Sequence, residues 1–536
     1  MPTMDATSTL LYALPCSLAI YVGAKVLFPG PRRAALHRDS LPLLGETWAA
    51  LKYADKYYDW EIEWTEHMEG KPWLFDVVGR PSEFVLGRPD IIEDVVRTHA
   101  ESFGKGEYVH QVLSDFMGDG MIAVDGHKWL RQRKTASNLF SMRGLRDSMA
   151  AVVQENVLTL HSTFQEAAKT GESLDLFAFF NRFTFEVIAE IAFGIKFGAL
   201  GTEDEHPFEA AFNFATQRLF VRFLEPSWLW KTQRWLNVGT EKEFKKQVQI
   251  IDDTCYSIIS RSLKKRQDAQ KSAGAKESTA TIADGQKSDL ISLFLEGVSD
   301  DEAKLGEEFD PKFLRDIVVT FMTAGRDTTA SALSWFFYVL SQHPEVEAKI
   351  RQEMASTLPD LASGAVPSPS MQQANELVYL EAALKETLRL YPAVPSNIRE
   401  ALCDVVLCDG TVVKAGETVS WSSYSMGRMP HVWGPDAKEY KPERWLDPDT
   451  GKLIVVSPYR FTLFSAGPRV CLGAKLAMME MKITAASVLS KYHFTVVPGQ
   501  DVTYRLGLTL AMKNGLQVTV GKAAPCGLKM NAPTTS

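Results

Sequence analysis

The amino-acid sequence predicts a mainly α-helical protein with small β-sheets, carried behind a single N-terminal transmembrane helix. Three observations predict it. Amphipathic runs of helical period fill most of residues 126–266 and return at 311–342 and 371–391. Short alternating stretches such as Trp73-Leu-Phe-Asp-Val-Val78, Glu83-Phe-Val-Leu-Gly87 and Thr418-Val-Ser-Trp421 read as strands at the edge of that body. An uncharged segment runs from Ala6 to Ala24.

As a helix, those 19 residues would span about 28 Å, close to a hydrocarbon core. Lys25, Arg32, Arg33 and Arg38 follow the segment and only Asp5 precedes it, so the rest of the chain is expected on the cytosolic side. The opening Met-Pro-Thr-Met-Asp lacks the basic region of a cleaved signal peptide. Residues 1–33 are therefore expected to form a membrane anchor in contact with lipid, with a stiff hinge at Pro29-Gly-Pro31.

Pro89 opens a helix after the two short strands. Residues 102–125, rich in Gly and Asp, read as a mobile loop. Helices are expected at 127–140, 143–168, 174–195, 207–222 and 241–264, and the small, polar 267–288 as a disordered surface loop. The segment 311–342 is apolar almost all round after Ile317, so it should run through the interior. Residues 394–425 and 492–520 return to strand-like patterns.

Composition excludes some roles. A net charge of -8 argues against nucleic-acid binding, which needs a basic domain. Six cysteines in 536 residues are too sparse for a disulfide framework and fit a reducing compartment. Cys403 and Cys408, with no second pair, read as two residues of a hairpin. Length alone suggests two or three domains.

The chemistry gathers around Cys471, in Phe464-Ser-Ala-Gly-Pro-Arg-Val-Cys-Leu-Gly473, just ahead of a helical run from Ala474. Backbone N–H groups at a helix start favour a thiolate. Gly467 and Gly473 let the chain turn tightly against something flat and bulky. A thiolate is a strong ligand for haem iron. Within the central helix, Ala324-Gly-Arg-Asp-Thr-Thr329 sets an acid and hydroxyls beside a glycine, costly in apolar surroundings unless satisfied. Such a notch suits a diatomic ligand lying over a metal and receiving protons. Glu386 and Arg389 share a helix face at i, i+3, as Trp129 and Arg133 do at i, i+4.

Together these motifs resemble the haem-thiolate monooxygenases, the cytochrome P450 family, over essentially the whole chain beyond the anchor. The haem-loop pattern F-x-x-G-x-R-x-C-x-G matches at Phe464, Gly467, Arg469, Cys471 and Gly473. The oxygen-activation pattern A-G-x-D-T-T matches at 324–329, and E-x-x-R at Glu386 and Arg389. Arg444 in Pro442-Glu-Arg-Trp445 completes that network, and W-x-x-x-R falls at Trp129 and Arg133. Trp445 stands where many relatives carry Phe, a departure expected to affect packing alone.

The resemblance implies one catalytic domain, 34–536, folded about haem b. Cys471 would be its axial thiolate and metal ligand, with Phe464 shielding the sulfur. Trp129, Arg133, Arg469 and, by analogy with many relatives, Arg399 would hold the propionates. Asp327 and Thr328 would organise proton delivery to O2, and Glu386, Arg389 and Arg444 would be structural. The resemblance further implies attachment to the endoplasmic reticulum and electrons from NADPH through a membrane-anchored cytochrome P450 reductase. Lys128, Arg131, Lys134, Arg143 and Arg146 form a basic cluster suited to such an acidic partner, or simply a solvated face.

The wording Ala-Gly-Arg-Asp-Thr-Thr-Ala-Ser-Ala-Leu-Ser-Trp335, with Met426-Gly-Arg-Met-Pro-His-Val-Trp-Gly-Pro-Asp436, looks like the fatty-acid and alkane ω-hydroxylase branch. Expected pocket walls are Phe116, Met117, Phe220, Phe223, Val318, Phe321, Ala324, Val394, Ile398 and Leu508. Terminal hydroxylation of a medium- or long-chain fatty acid is the resulting expectation. Hydroxylation of an alkane, sterol or other lipophilic compound stays open, as do an oxygen-independent isomerase or dehydratase and a non-catalytic haem sensor.

Overall fold

A computed structural model describes residues 34–41, 44–144, 148–201, 207–272, 290–291, 293–294 and 311–523. Its helices in chain order include α1 (Tyr57–His67), α2 (Gly106–Met117), α3 (Gly126–Leu139), α4 (Ala150–Thr170) and α5 (Leu176–Phe193). They continue with α6 (Pro207–Leu224), α7 (Gly239–Ser272), α8 (Pro311–Gln342), α9 (Val378–Leu390) and α10 (Ala474–Lys491). The central α8 is buried along most of its length, because apolar side chains occupy nearly every face. Its first half belongs to one apolar cluster and its second half to another, so a single helix threads both.

The closest partner of α8 is α5, which is also buried almost all round. Local chemistry sets the ends of α5. Asp175 accepts from Ala178 N at 3.1 Å as an N-cap, and from Leu516 N at 3.1 Å, fastening the helix start to a strand. Gly194 ends the helix with φ +64°. Where α5 crosses α8, a Cβ on Gly325 would lie 2.5 Å from Ile188 Cγ1. Gly325 thus permits a close helix crossing in addition to lining the cavity described below.

The strands are β1 (Ala35–Leu36), β2 (Trp73–Phe75), β3 (Glu83–Val85), β4 (Phe103–Gly104), β5 (Ser173–Asp175), β6 (Ser396–Ala401), β7 (Val405–Val406), β8 (Val412–Val413), β9 (Thr418–Ser422), β10 (Tyr492–Val496) and β11 (Gln517–Lys522). One sheet runs β1-β2-β3-β9-β6-β4, a second β10-β11-β5, and β7-β8 form a hairpin. Antiparallel pairing sets Ile398 opposite Ser420 and Arg399 opposite Val419, which presents β6 to the cavity. Cys403 precedes the β7–β8 hairpin and Cys408 lies in its connection, both exposed.

Several expectations change. Residues 106–117 form α2 where a mobile loop was expected. Its caps are remote: Glu400 accepts from Glu107 N at 3.2 Å and Tyr108 N at 2.8 Å, and Asp125 from Gly106 N at 2.8 Å. The run expected at 371–391 splits at Glu376 and Leu377, after a short helix Met371–Asn375 started by a Ser370–Gln373 capping box. α7 continues to Ser272, past the expected start of the disordered loop; the remainder of that loop, 273–288, lies outside the described residues. The anchor and hinge of 1–33 also lie outside them, and among the described residues no helix is long and apolar enough to cross a membrane.

Candidate active site

Cys471 stands at the wall of a cavity of about 390 Å³ enclosed by α2, α3, α5, α8, β6, the 463–473 loop and the start of α10. The loop is held by its own backbone: Cys471 N donates to Phe464 O at 2.8 Å and Val470 N to Gly467 O at 3.1 Å. Gly467 adopts φ +66°, and a Cβ there would lie 2.1 Å from Val96 O. Its role is to seat the loop on the Asp94–Thr98 turn, away from the cavity surface. Gly473 lines the cavity, where a Cβ would sit 3.9 Å from the Cys471 sulfur.

Cys471 is exposed at the cavity wall, while desolvation by the surrounding protein pushes its thiol pKa up. Hydrogen bonds from Gly473 and Ala474 N–H and the charge of Arg133 pull it back toward the thiolate. These are the donors that a metal-bound thiolate needs.

At the α8 wall, Phe321, Ala324, Gly325, Thr328 and Thr329 line the cavity. Thr328 Oγ1 donates to Ala324 O at 2.6 Å, satisfying the hydroxyl within its own helix. Asp327 is buried one residue away and does not line the cavity; its Oδ1 accepts from Arg326 Nη1 at 2.8 Å. Burial raises the Asp327 pKa, against the charges of Arg326 and Arg505.

One end of the cavity is cationic. Arg399 Nη1 donates to Ile398 O at 2.8 Å and Nη2 to Ser465 Oγ at 3.4 Å. Arg469 Nη2 donates to Val124 O at 2.8 Å and pairs with Asp125, its guanidinium 4.6 Å over the Trp129 ring. Arg133 Nη2 donates to Val470 O at 2.8 Å. A fourth cation was not anticipated: Lys105 lines the same end and forms no ion pair among the described residues. Burial, together with Arg399 and Arg469, holds Lys105 well below the usual lysine range. Burial and Arg469 push Arg399 down to about 10. Four cations against Asp125 form a cradle for an anionic group, and the apolar lining beside them fits a flat hydrophobic body. The donor set therefore fits haem: a thiolate for the iron, apolar walls for the ring, and cations for the propionates.

Glu386 and Arg389 are fully buried, with Arg389 Nε and Nη2 each donating to the carboxylate at 2.7 Å. Arg444 Nε donates to Glu386 Oε1 at 3.2 Å, and Lys441 N at 2.9 Å. Trp445 Nε1 donates to Glu386 Oε2 at 2.9 Å, so this departure adds a hydrogen bond as well as bulk. The cluster lies away from the cavity and ties α9 to the Pro442–Trp445 turn.

The expected pocket residues divide. Met117, Phe223, Phe321, Ala324, Val394, Ile398 and Leu508 line the cavity. Phe116, Phe220 and Val318 do not: Phe116 packs on Phe212, Phe220 on Tyr57 and Tyr58, and Val318 is fully buried in the core. Each is on the right helix but a different face, which an apolar-all-round sequence cannot disclose. Glu480 of α10 also lines the cavity unanticipated. It is buried with no cation partner among the described residues, and burial pushes its carboxyl up to about 8.

Known proteins share these features. A family model described as Cytochrome P450 matches residues 47–519. The chain is 39% identical over 444 residues to cytochrome P450 86B1 of Arabidopsis thaliana, covering 81% of this chain and 76% of the relative. It is 35% identical over 508 residues to cytochrome P450 704B1 of the same plant, covering 90% and 94%. It is 34% identical over 521 residues to cytochrome P450 CYP94D108 of Paris polyphylla, covering 96% and 98%.

Proposed function

Because this chain belongs to the cytochrome P450 family of haem-thiolate monooxygenases, we propose that it hydroxylates the terminal or near-terminal carbon of a medium- to long-chain fatty acid. The observation that carries this reading is the apolar lining that Val109, Leu113, Met117, Phe223, Phe321 and Leu508 give the cavity, apart from the cations that would hold the haem. Such a lining suits a long acyl chain.

The haem, when bound, supplies oxygen activation. Cys471 would hold its iron, and Lys105, Arg133, Arg399 and Arg469 with Trp129 would hold its propionates. Phe464, which lines the cavity from the same loop, would shield the sulfur. Thr328 presents a hydroxyl to the cavity, and Asp327 behind it is the acid that would replenish its proton. The neighbouring charge of Arg326 keeps that acid nearer its ionised form than burial alone would allow.

The N-terminal apolar segment supports attachment to the endoplasmic reticulum membrane, with electrons from NADPH through a reductase anchored there. Lys134 is exposed on α3 and Lys128 pairs with Asp119 at 2.7 Å, while the Arg143 and Arg146 side chains lie outside the described residues. Reversing Lys134 to Glu should lower reductase-driven turnover with haem content unchanged.

The deciding experiment titrates the purified ferric enzyme with fatty acids of graded length and follows the spin-state change. A shift that strengthens with chain length, followed by reductase-dependent O2 consumption and hydroxy-acid product, is expected. No response to any fatty acid would remove that substrate class. Turnover without O2 consumption would instead favour an isomerase or dehydratase.

A further inference from the structure

Beyond the charge it sets beside Asp327, Arg326 is fully buried and bonds to a second helix. The guanidinium reaches out of α8 to α6. Nη1 donates to Asp327 Oδ1 at 2.8 Å and Asn213 Oδ1 at 3.3 Å, and Nη2 to Glu209 Oε1 at 2.9 Å. Its centre lies 5.5 Å from the Phe212 ring. Glu209, Phe212 and Asn213 all belong to α6. The backbone is held as well, since Thr184 of α5 donates Oγ1 to Arg326 O at 2.7 Å. An apolar contact would join α6 to α8 at least as well as a buried charge flanked by two carboxylates, so stability alone does not account for it.

We propose that Arg326 is a positioning residue that straps Asp327 to α6 through Glu209, so that the acid behind Thr328 is set for proton transfer only while α6 is seated on α8. The same helix carries Phe223, which lines the cavity. An element that contributes to the cavity wall thus also holds the acid. The charged groups facing Asp327 are Arg326 on its own helix, Glu209 on α6 and Arg505 between β10 and β11. Arg326 bridges Asp327 to the helix that carries Phe223. The inference rests on assigning Asp327 to proton delivery.

The test uses the full-length holoenzyme with reductase and compares R326Q, R326K, E209Q and D327N. Retained haem is checked by the carbon-monoxide difference spectrum. Amide hydrogen exchange across 207–224 is measured in the resting enzyme, together with the share of electrons lost to peroxide and the pH profile of coupled turnover. R326Q should lower the rate of coupled turnover about tenfold and raise the peroxide share, a smaller loss than the roughly 100-fold or more expected from complete loss of a positioned proton donor. Its pH midpoint should move up by about one unit, the scale set by a lost opposite charge. E209Q should raise both the peroxide share and exchange in α6 without that upward shift, and R326K should fall between wild type and R326Q.

Faster exchange in α6 with unchanged peroxide share and pH profile would make the cluster structural and overturn the proposal. So would unchanged exchange in every variant. If R326Q loses haem, E209Q and R326K decide by the same criteria. D327N separates the two layers: uncoupling in D327N with none in R326Q or E209Q refutes the strap alone, whereas a fully coupled D327N refutes the assignment of the acid.

Discussion

Replacing Lys105 by methionine should weaken haem retention while leaving the fold intact. The side chain shares one end of the cavity with Arg133, Arg399 and Arg469, and Asp125 is the carboxylate paired there. Burial and its cationic neighbours hold Lys105 well below the usual lysine range, and an arriving anion favours its charged form. A hydrogen bond to a charged group contributes about 1.5–3 kcal/mol. Losing it corresponds to a roughly 10- to 100-fold higher Kd for haem. Methionine keeps the apolar stem, so packing should change little. Absorbance titration of the apoprotein with haem gives the Kd, and the same titration in weak buffer reads protons. Because an anion raises the Lys105 pKa, wild-type binding should take up protons and K105M fewer. Equal Kd and equal proton uptake in the two proteins would refute the reasoning.

Three further outcomes follow from the same geometry. W445F should cost about 1.5–3 kcal/mol in denaturant unfolding, because Trp445 Nε1 donates to the buried Glu386 carboxylate; a loss below about 0.5 kcal/mol would mean that packing alone is at stake. Glu61 and Glu480 have carboxyls pushed up to about 8 by burial, from an ordinary value of 4.5. Across that window the folded chain keeps protons that the unfolded chain releases, so stability should fall as pH rises, by up to about 1.4 kcal/mol per unit for each group. E480Q should flatten that slope in urea unfolding across the window, and a slope identical to wild type would count against Glu480 as a contributor. F116A should cost about 3–5 kcal/mol of stability. F223A should chiefly weaken fatty-acid binding in a spin-state titration, and the reverse pattern would contradict their placement in core and cavity.

Much of the site was legible because its chemistry is local. A thiol ahead of a helix start at Ala474, and an acid and hydroxyls in an apolar helix, are conspicuous within a few residues. The helix at 106–117 illustrates the opposite case. Tyr108, Val112 and Phe116 do recur at helical spacing, and that signal was available. The glycines and acids around it spoke for a loop, because the carboxylates that cap its start come from Asp125 and from Glu400 in a distant strand. Lys105 was silent for the same reason: nothing near it in the chain shows that Arg399 and Arg469 will be its neighbours.

The sequence by itself determined the family, the cysteine loop ahead of a helix and the long central helix, since each follows from residue types at fixed short spacing. The tertiary structure alone decided which face of each apolar helix meets the cavity, separating Phe223 from Phe220 and Met117 from Phe116. It also decided that Gly325 serves a helix crossing and that Arg326 reaches α6. Burial and charge pairing depend on which distant segments come together, and periodicity carries no record of a partner a hundred or more residues away.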